Sequence, residues 1–142
     1  MIDPFGTIVI EIREHPPVAA LVEKRVRGGE PDPGDAQPAG SYKRFIVLES
    51  LGYTRLRRAP VQEVRLVARC YGVDFTDAAA VARAASDAIH AVGPRLRSSG
   101  VGIYGSFDDG GLGSDIDPDT KQPHEDFLIR VVAPTVRVVP IS

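Results

Sequence analysis

Cysteine is almost absent from this chain. One copy, Cys70, in 142 residues rules out an intrachain disulfide, so nothing here requires an oxidising compartment. It sits in an apolar alternation, where a small buried thiol is expected. Long apolar runs are missing as well. No stretch approaches the roughly 18 residues of a spanning helix, and the opening Met-Ile-Asp-Pro-Phe-Gly has no basic segment leading into an apolar one. The expectation is cytoplasmic synthesis with no membrane partner. Charge of one sign is also lacking: 17 basic against 19 acidic side chains leave −2, which gives no overall drive toward nucleic acid or anionic lipid. Catalytic signatures are missing too. No Cys-x-x-Cys, His-x-x-x-His or nucleophile-elbow pattern joins His15, His90 or His124 to a metal or a nucleophile. Neither an enzyme nor a cofactor is expected, and no internal repeat is visible.

What remains is a chain sized for one domain over residues 1–142, with 43% hydrophobic and 25% charged residues, ordinary values for a globular protein. Glycine (14) and proline (12) are plentiful and concentrate between Gly28 and Gly40 and between Asp108 and Pro123, which predicts long loops at about 28–42 and 108–123. Asp3-Pro4 has the form of an N-cap and first helical residue, and Phe5, Ile8, Val9 and Ile12 follow at helical spacing. The β-branched content of residues 5–13 makes a strand the competing reading. His15-Pro16-Pro17 ends this element, and Val18 to Arg27 predicts a second short helix with Leu21, Val22 and Val26 inward.

Phe45-Ile46-Val47-Leu48 predicts a strand buried on both faces, leading out through Gly52 and an arginine cluster. The clearest pattern runs from Val61 to Gly93. Val64, Leu66, Ala68 and Cys70 alternate with Glu63, Arg65 and Arg69 as a half-buried strand. After Tyr71-Gly72, Thr76 is expected to cap a helix beginning at Asp77, with Val81, Ala84, Ala85, Ala88, Ile89 and Val92 as its inner stripe and Gly93-Pro94 as its stop. Val101 to Phe107 and Phe127 to Ala133 predict two more strands. The fold class is therefore α+β: an antiparallel or mixed four-stranded sheet covered on one face by a long helix, with short N-terminal helices. After Pro134, Val136, Val138, Val139 and Ile141 form a short apolar tail, residues 134–142.

Few constellations could carry chemistry. Asp115, Asp117 and Asp119 alternate as hard-cation ligands do, and Asp126 falls at the twelfth position of a calcium loop. Thr120 stands where that motif needs glycine, Pro118 stiffens the turn, and the flanks read as strands, so a solvated acidic loop is the leading reading. Gly110-Gly111-Leu112-Gly113 lacks the lysine of a phosphate loop and does not join a strand to a helix. Arg55, Arg57 and Arg58 with Tyr53 make a small basic patch that could touch phosphate, but in a chain of net negative charge a solvated loop, or salt bridges to acidic loops of a neighbouring copy, is the leading reading.

Three stretches carry a resemblance spread over nearly the whole chain: Asp3-Pro4-Phe5 with the short helices through Arg27, then Ala68-Arg69-Cys70-Tyr71-Gly72 leading to Thr76-Asp77-Ala78, and Asp117-Pro118-Asp119-Thr120 before the last strand. Together they resemble the tail-terminator and tail-completion proteins of long-tailed, non-contractile bacteriophages, particularly those of actinobacterial hosts. The resemblance implies a structural virion protein in the tail or neck, assembled in the host cytoplasm. Such proteins form a six-membered ring on the finished tail tube, stop its polymerisation and dock to the neck, while DNA passes through the lumen. Expected partners are other copies of the chain, the tube protein and the head-tail connector. Another neck component, an adaptor or stopper, or a tube subunit is the nearest alternative, and a small calcium-binding module is a distant one. The resemblance supplies no active site. Arg55, Arg57, Arg58, Glu63, Arg65 and Arg69 are the expected subunit or partner contacts. One departure stands out: Lys121-Gln122 occupies positions where a glycine and an aromatic residue are expected.

Overall fold

A computed structural model describes residues 3–55, 60–92, 94–96 and 102–136. The chain begins with two helices, α1 (Phe5–Glu14) and α2 (Pro16–Val22), and a short strand, β1 (Val26–Gly28). The strands β2 (Phe45–Arg55) and β3 (Val61–Tyr71) follow, then the long helix α3 (Phe75–Ala91). A small ribbon of β4 (Arg95–Leu96) and β5 (Gly102–Ile103) leads to β6 (Gly105–Ile116) and β7 (Pro123–Pro134). The main sheet has five strands in the order β1-β2-β3-β7-β6, parallel between β1 and β2 and antiparallel elsewhere. This is the mixed, helix-covered α+β sheet expected from the sequence, with five strands in place of four. Among the described residues, no helix is long and apolar enough to cross a membrane.

One face of the sheet makes the core. Ile46 and Leu48 of β2, Val64, Leu66, Ala68 and Cys70 of β3, and Phe127, Ile129, Val131 and Ala133 of β7 cluster with Ile8 and Ile12 of α1, Val18 and Val22 of α2, and the stripe Val81, Ala84, Ala85, Ala88 and Ile89 of α3. Alanine dominates the α3 stripe, which lets the helix axis approach the sheet closely, and each larger aliphatic side chain here contributes about 1.5–3 kcal/mol by leaving water. For residues 5–13, helical periodicity prevails over β propensity because it turns Ile8, Val9 and Ile12 into this core. The double-sided burial expected of Phe45 to Leu48 is present: Ile46 and Leu48 enter the core, while Phe45 and Val47 form a second small cluster with Tyr71 on the other face.

Several elements differ from the sequence reading. The second helix stops at Val22, and Val26 and Arg27 belong to β1. Arg13 donates from Nη2 to the Val26 carbonyl at 2.8 Å, and Ile46 N–H donates to the Arg25 carbonyl at 2.9 Å, so backbone pairing with β2 prevails over local helix propensity. The second strand runs beyond Phe45 to Leu48; it continues to Arg55 past a bulge at Leu51, where Gly52 takes φ 111°. The cap of α3 is Asp74, whose carboxylate accepts the Asp77 N–H at 2.8 Å, so Thr76 lies inside the helix.

The largest difference is β6. The glycine-rich segment expected to be a loop from Asp108 instead pairs with β7 as far as Ile116 opposite Pro123. Bulges at Asp109 and Leu112 absorb its irregularity, and Gly110 and Gly113 supply the positive φ values, 118° and 94°, beside them. For the same reason β7 begins at Pro123 and not at Phe127. Of the sequence expectations, those resting on Arg57, Arg58, Gly93, Val101, Val138, Val139 and Ile141 lie outside the described residues.

Candidate interaction surface

Among the described residues no helix covers the second face of the sheet, where charged side chains stand beside the buried Phe45, Val47, Val67 and Tyr71. Because directly opposed residues of a sheet share a face, the register places Glu63, Arg65, Val67, Arg69 and Tyr71 of β3 beside Val132, Arg130, Leu128, Asp126 and His124 of β7. Of the six expected contact residues, Glu63, Arg65 and Arg69 are thus brought together. Arg55 is not: it opposes Gln62, whose parity is that of the core face, and it lies exposed at the far end of β2.

The charges form two groups. Arg69 donates to Glu49 Oε2 at 2.6 Å and lies 3.9 Å from Asp126, whose other oxygen meets His124 Nδ1 at 2.7 Å. The Arg69–Glu49 pair lies on a partly exposed surface and contributes about 1 kcal/mol or less, whereas His124 and Asp126 are mostly shielded from water. In the second group Arg130 is 3.8 Å from Glu63 and 3.7 Å from Asp109, with its guanidinium 4.9 Å from the centroid of the Phe107 ring. Arg65 directly opposes Arg130, a juxtaposition of like charges, and is exposed without an ion pair among the described residues.

At the Tyr71 end of the same face, Phe45 stacks on Tyr71 at 4.2 Å and His124 tilts against it at 4.9 Å. Burial, followed by the nearby Asp117 carboxylate, pushes the Tyr71 hydroxyl up to about 12, so it stays protonated. Beyond it projects the β6–β7 turn. Asp117 Oδ1 accepts the N–H groups of Asp119 at 2.9 Å and Thr120 at 3.0 Å. Burial would raise the Asp117 carboxyl, but these hydrogen bonds from Thr120 and Asp119 outweigh it and hold it below the ordinary carboxylate range. Asp115 and Asp119 are exposed, and Asp126 faces Arg69 and His124. Among the described residues, no group of three or more His, Cys, Asp and Glu side chains is gathered to hold a metal ion.

The departure at Lys121-Gln122 acquires a physical meaning here. Lys121 takes φ 62°, the left-handed conformation a glycine adopts without strain. Gln122 is fully buried, and its amide donates to the Lys43 carbonyl at 2.6 Å and the Gly72 carbonyl at 3.2 Å. Tyr42 adds a hydrogen bond from its hydroxyl to the Thr120 carbonyl at 2.6 Å. The acidic turn is therefore bolted to the body of the domain. Gly72 is obligatory at that joint, since a Cβ there would lie 2.2 Å from the Ala78 nitrogen. Sequence reasoning marked Gln122 only as a departure and missed its anchoring role and Tyr42, because their partners are backbone carbonyls about 80 or 50 residues away.

A shallow groove of about 280 Å³ lies between α3 and β6, lined by Ala82, Arg83, Ser86, Asp108, Gly111 and Phe127 among others. Ser86 Oγ donates to Asp108 at 2.6 Å and no imidazole lines the groove, so it does not present an activated nucleophile.

No protein-family model and no curated protein matches the chain. A solved structure does: a chain of "Virion of native gene transfer agent (GTA) particle", at TM-score 0.61 and 18% identity, covering 89% of this chain and 91% of that one. At that identity the likeness concerns the fold, which extends over nearly the whole length of both chains.

Proposed function

We propose that this chain is a structural protein of a phage-like virion, forming a ring, six-membered as the sequence resemblance implies, that terminates the tail tube and joins it to the neck. The observation that carries the reading is the fold shared over 89% of this chain with a chain of a gene transfer agent virion particle. A bare, charged sheet face beside a firmly anchored turn suits a protein whose work is contact with copies and neighbours. The role is architectural, with the tube protein and the head-tail connector as further partners and DNA passing through the lumen without sequence-specific contact.

The test is assembly. Purified protein at rising concentration is expected to give a closed ring by native mass spectrometry, and its addition to polymerising tail tubes should stop growth with density at one end only. A protein that polymerises along the tube would instead be a tube subunit. One that binds the connector but leaves tube length unchanged would be an adaptor or stopper.

A further inference from the structure

The two ends of the second sheet face differ in charge: the Val61 end is balanced but leaves Arg65 unpaired among the described residues, and the Tyr71 end carries an excess of carboxylates. Toward the Val61 end stand Arg65 and Arg130, answered on that face by Glu63 and, from the edge strand, Asp109. Toward the Tyr71 end stand Glu49, Asp126, Asp115, Asp117 and Asp119, answered by Arg69 and Lys121. Six residues of extended strand separate Arg65 from Tyr71, about 20 Å, and the acidic turn lies farther still, so one copy cannot bring the two ends together. Arg65 also borders a gap: its partner on β2 is Gly52, and a Cβ built there would meet nothing within 4 Å. An exposed guanidinium, opposite a like charge and beside an empty position on the sheet, leaves room for a carboxylate from another molecule.

We propose that the acidic β6–β7 turn of one copy, through Asp119 and Asp115, docks on the Arg65–Gly52 site of the next. This rests on the ring reading and specifies its contact. The turn is a suitable occupant because Gln122, Tyr42 and Asp117 already hold its conformation, so little ordering is lost on binding. Donor and acceptor are different surfaces of one chain, and in a ring the contact between them is heterologous. Each copy offers its turn to one neighbour and its arginine to the other, the arrangement that closes into rings.

Two charge reversals test this, R65E and D119K, both at exposed positions, with thermal melting as the check that each variant folds. Each alone is expected to raise the concentration needed for assembly by roughly tenfold or more. The two combined in one chain should restore it. An equimolar mixture of the two variants should also assemble, because each variant's turn then meets an oppositely charged face on the other, giving even-membered rings with alternating copies in native mass spectrometry. A folding defect would not be rescued by mixing. If both single variants assemble like the unaltered protein, or if neither the combination nor the mixture restores assembly, this contact is wrong and the ring reading stands. If the unaltered protein stays monomeric at every concentration and does not cap tubes, the ring reading fails and takes this contact with it.

Discussion

The two faces of the sheet are made by the same strands yet held by different forces. On the helix-covered face, Leu66 and Ile129 oppose one another fully buried among aliphatic side chains, and stability comes from apolar area removed from water. One residue along, on the other face, Arg65 and Arg130 oppose one another, the first exposed and the second half-buried, in a setting where ion pairs nearly break even. The contrast teaches that the charged face is poorly explained as a stabiliser. Its pattern of pairs, and of the cation left over, is better suited to recognition, where charge sets orientation and partner choice more than it sets affinity.

Breaking the covered face should cost most. Leu66→Ala is expected to lose about 2–5 kcal/mol in chemical denaturation, the transfer and cavity cost of a buried leucine. Next comes Gly72→Ala, where the new methyl collides with the backbone of α3 at Ala78 and should cost about 1–3 kcal/mol or more, as overpacking does. A third measurement, melting temperature against pH, probes the carboxylates that hold the start of α3 and the β6–β7 turn. Burial would raise the Asp77 carboxyl, but hydrogen bonds from Arg44 at 2.8 and 2.9 Å and from Val73 N–H hold it low; Asp117 is held low as well. Since both folded values lie below the ordinary 3.8, their contribution is fully present above that pH and disappears as pH falls below it. Asp77→Asn should flatten part of that acid limb.

Smallest should be the bare face itself. Arg69→Ala, which removes the contacts with Glu49 and Asp126, is expected to change stability by less than about 1 kcal/mol. A loss as large as that of Leu66→Ala would erase the distinction between the faces.

Much of the covered face was legible in the sequence because its signal is periodic and local. The alternation Val64, Leu66, Ala68, Cys70 and the stripe Val81, Ala85, Ala88, Ile89 need only the 2.0 and 3.6 repeats to be read, and both are buried as expected. β6 was not legible. Its glycines mark a loop in any local reading, and only pairing with β7 turns Gly110 and Gly113 into bulge residues. The candidate surface was legible by half: Glu63, Arg65 and Arg69 were assigned to one face, but their relation to Arg130, Gly52 and Asp126 depends on which strands are neighbours and in what register.

By itself, then, the sequence determined the α+β class, the faces of β3 and α3, and a chain without disulfide or spanning helix, since composition and short-range periodicity carry that information along the chain. Tertiary structure alone decided the strand order, the run of the edge strand β6 beyond Phe107, the anchoring of the acidic turn by Gln122, and the unequal charge at the two ends of the second face. These arise from pairings between residues distant in the chain, set by the register that buries the apolar face, and no local pattern records them.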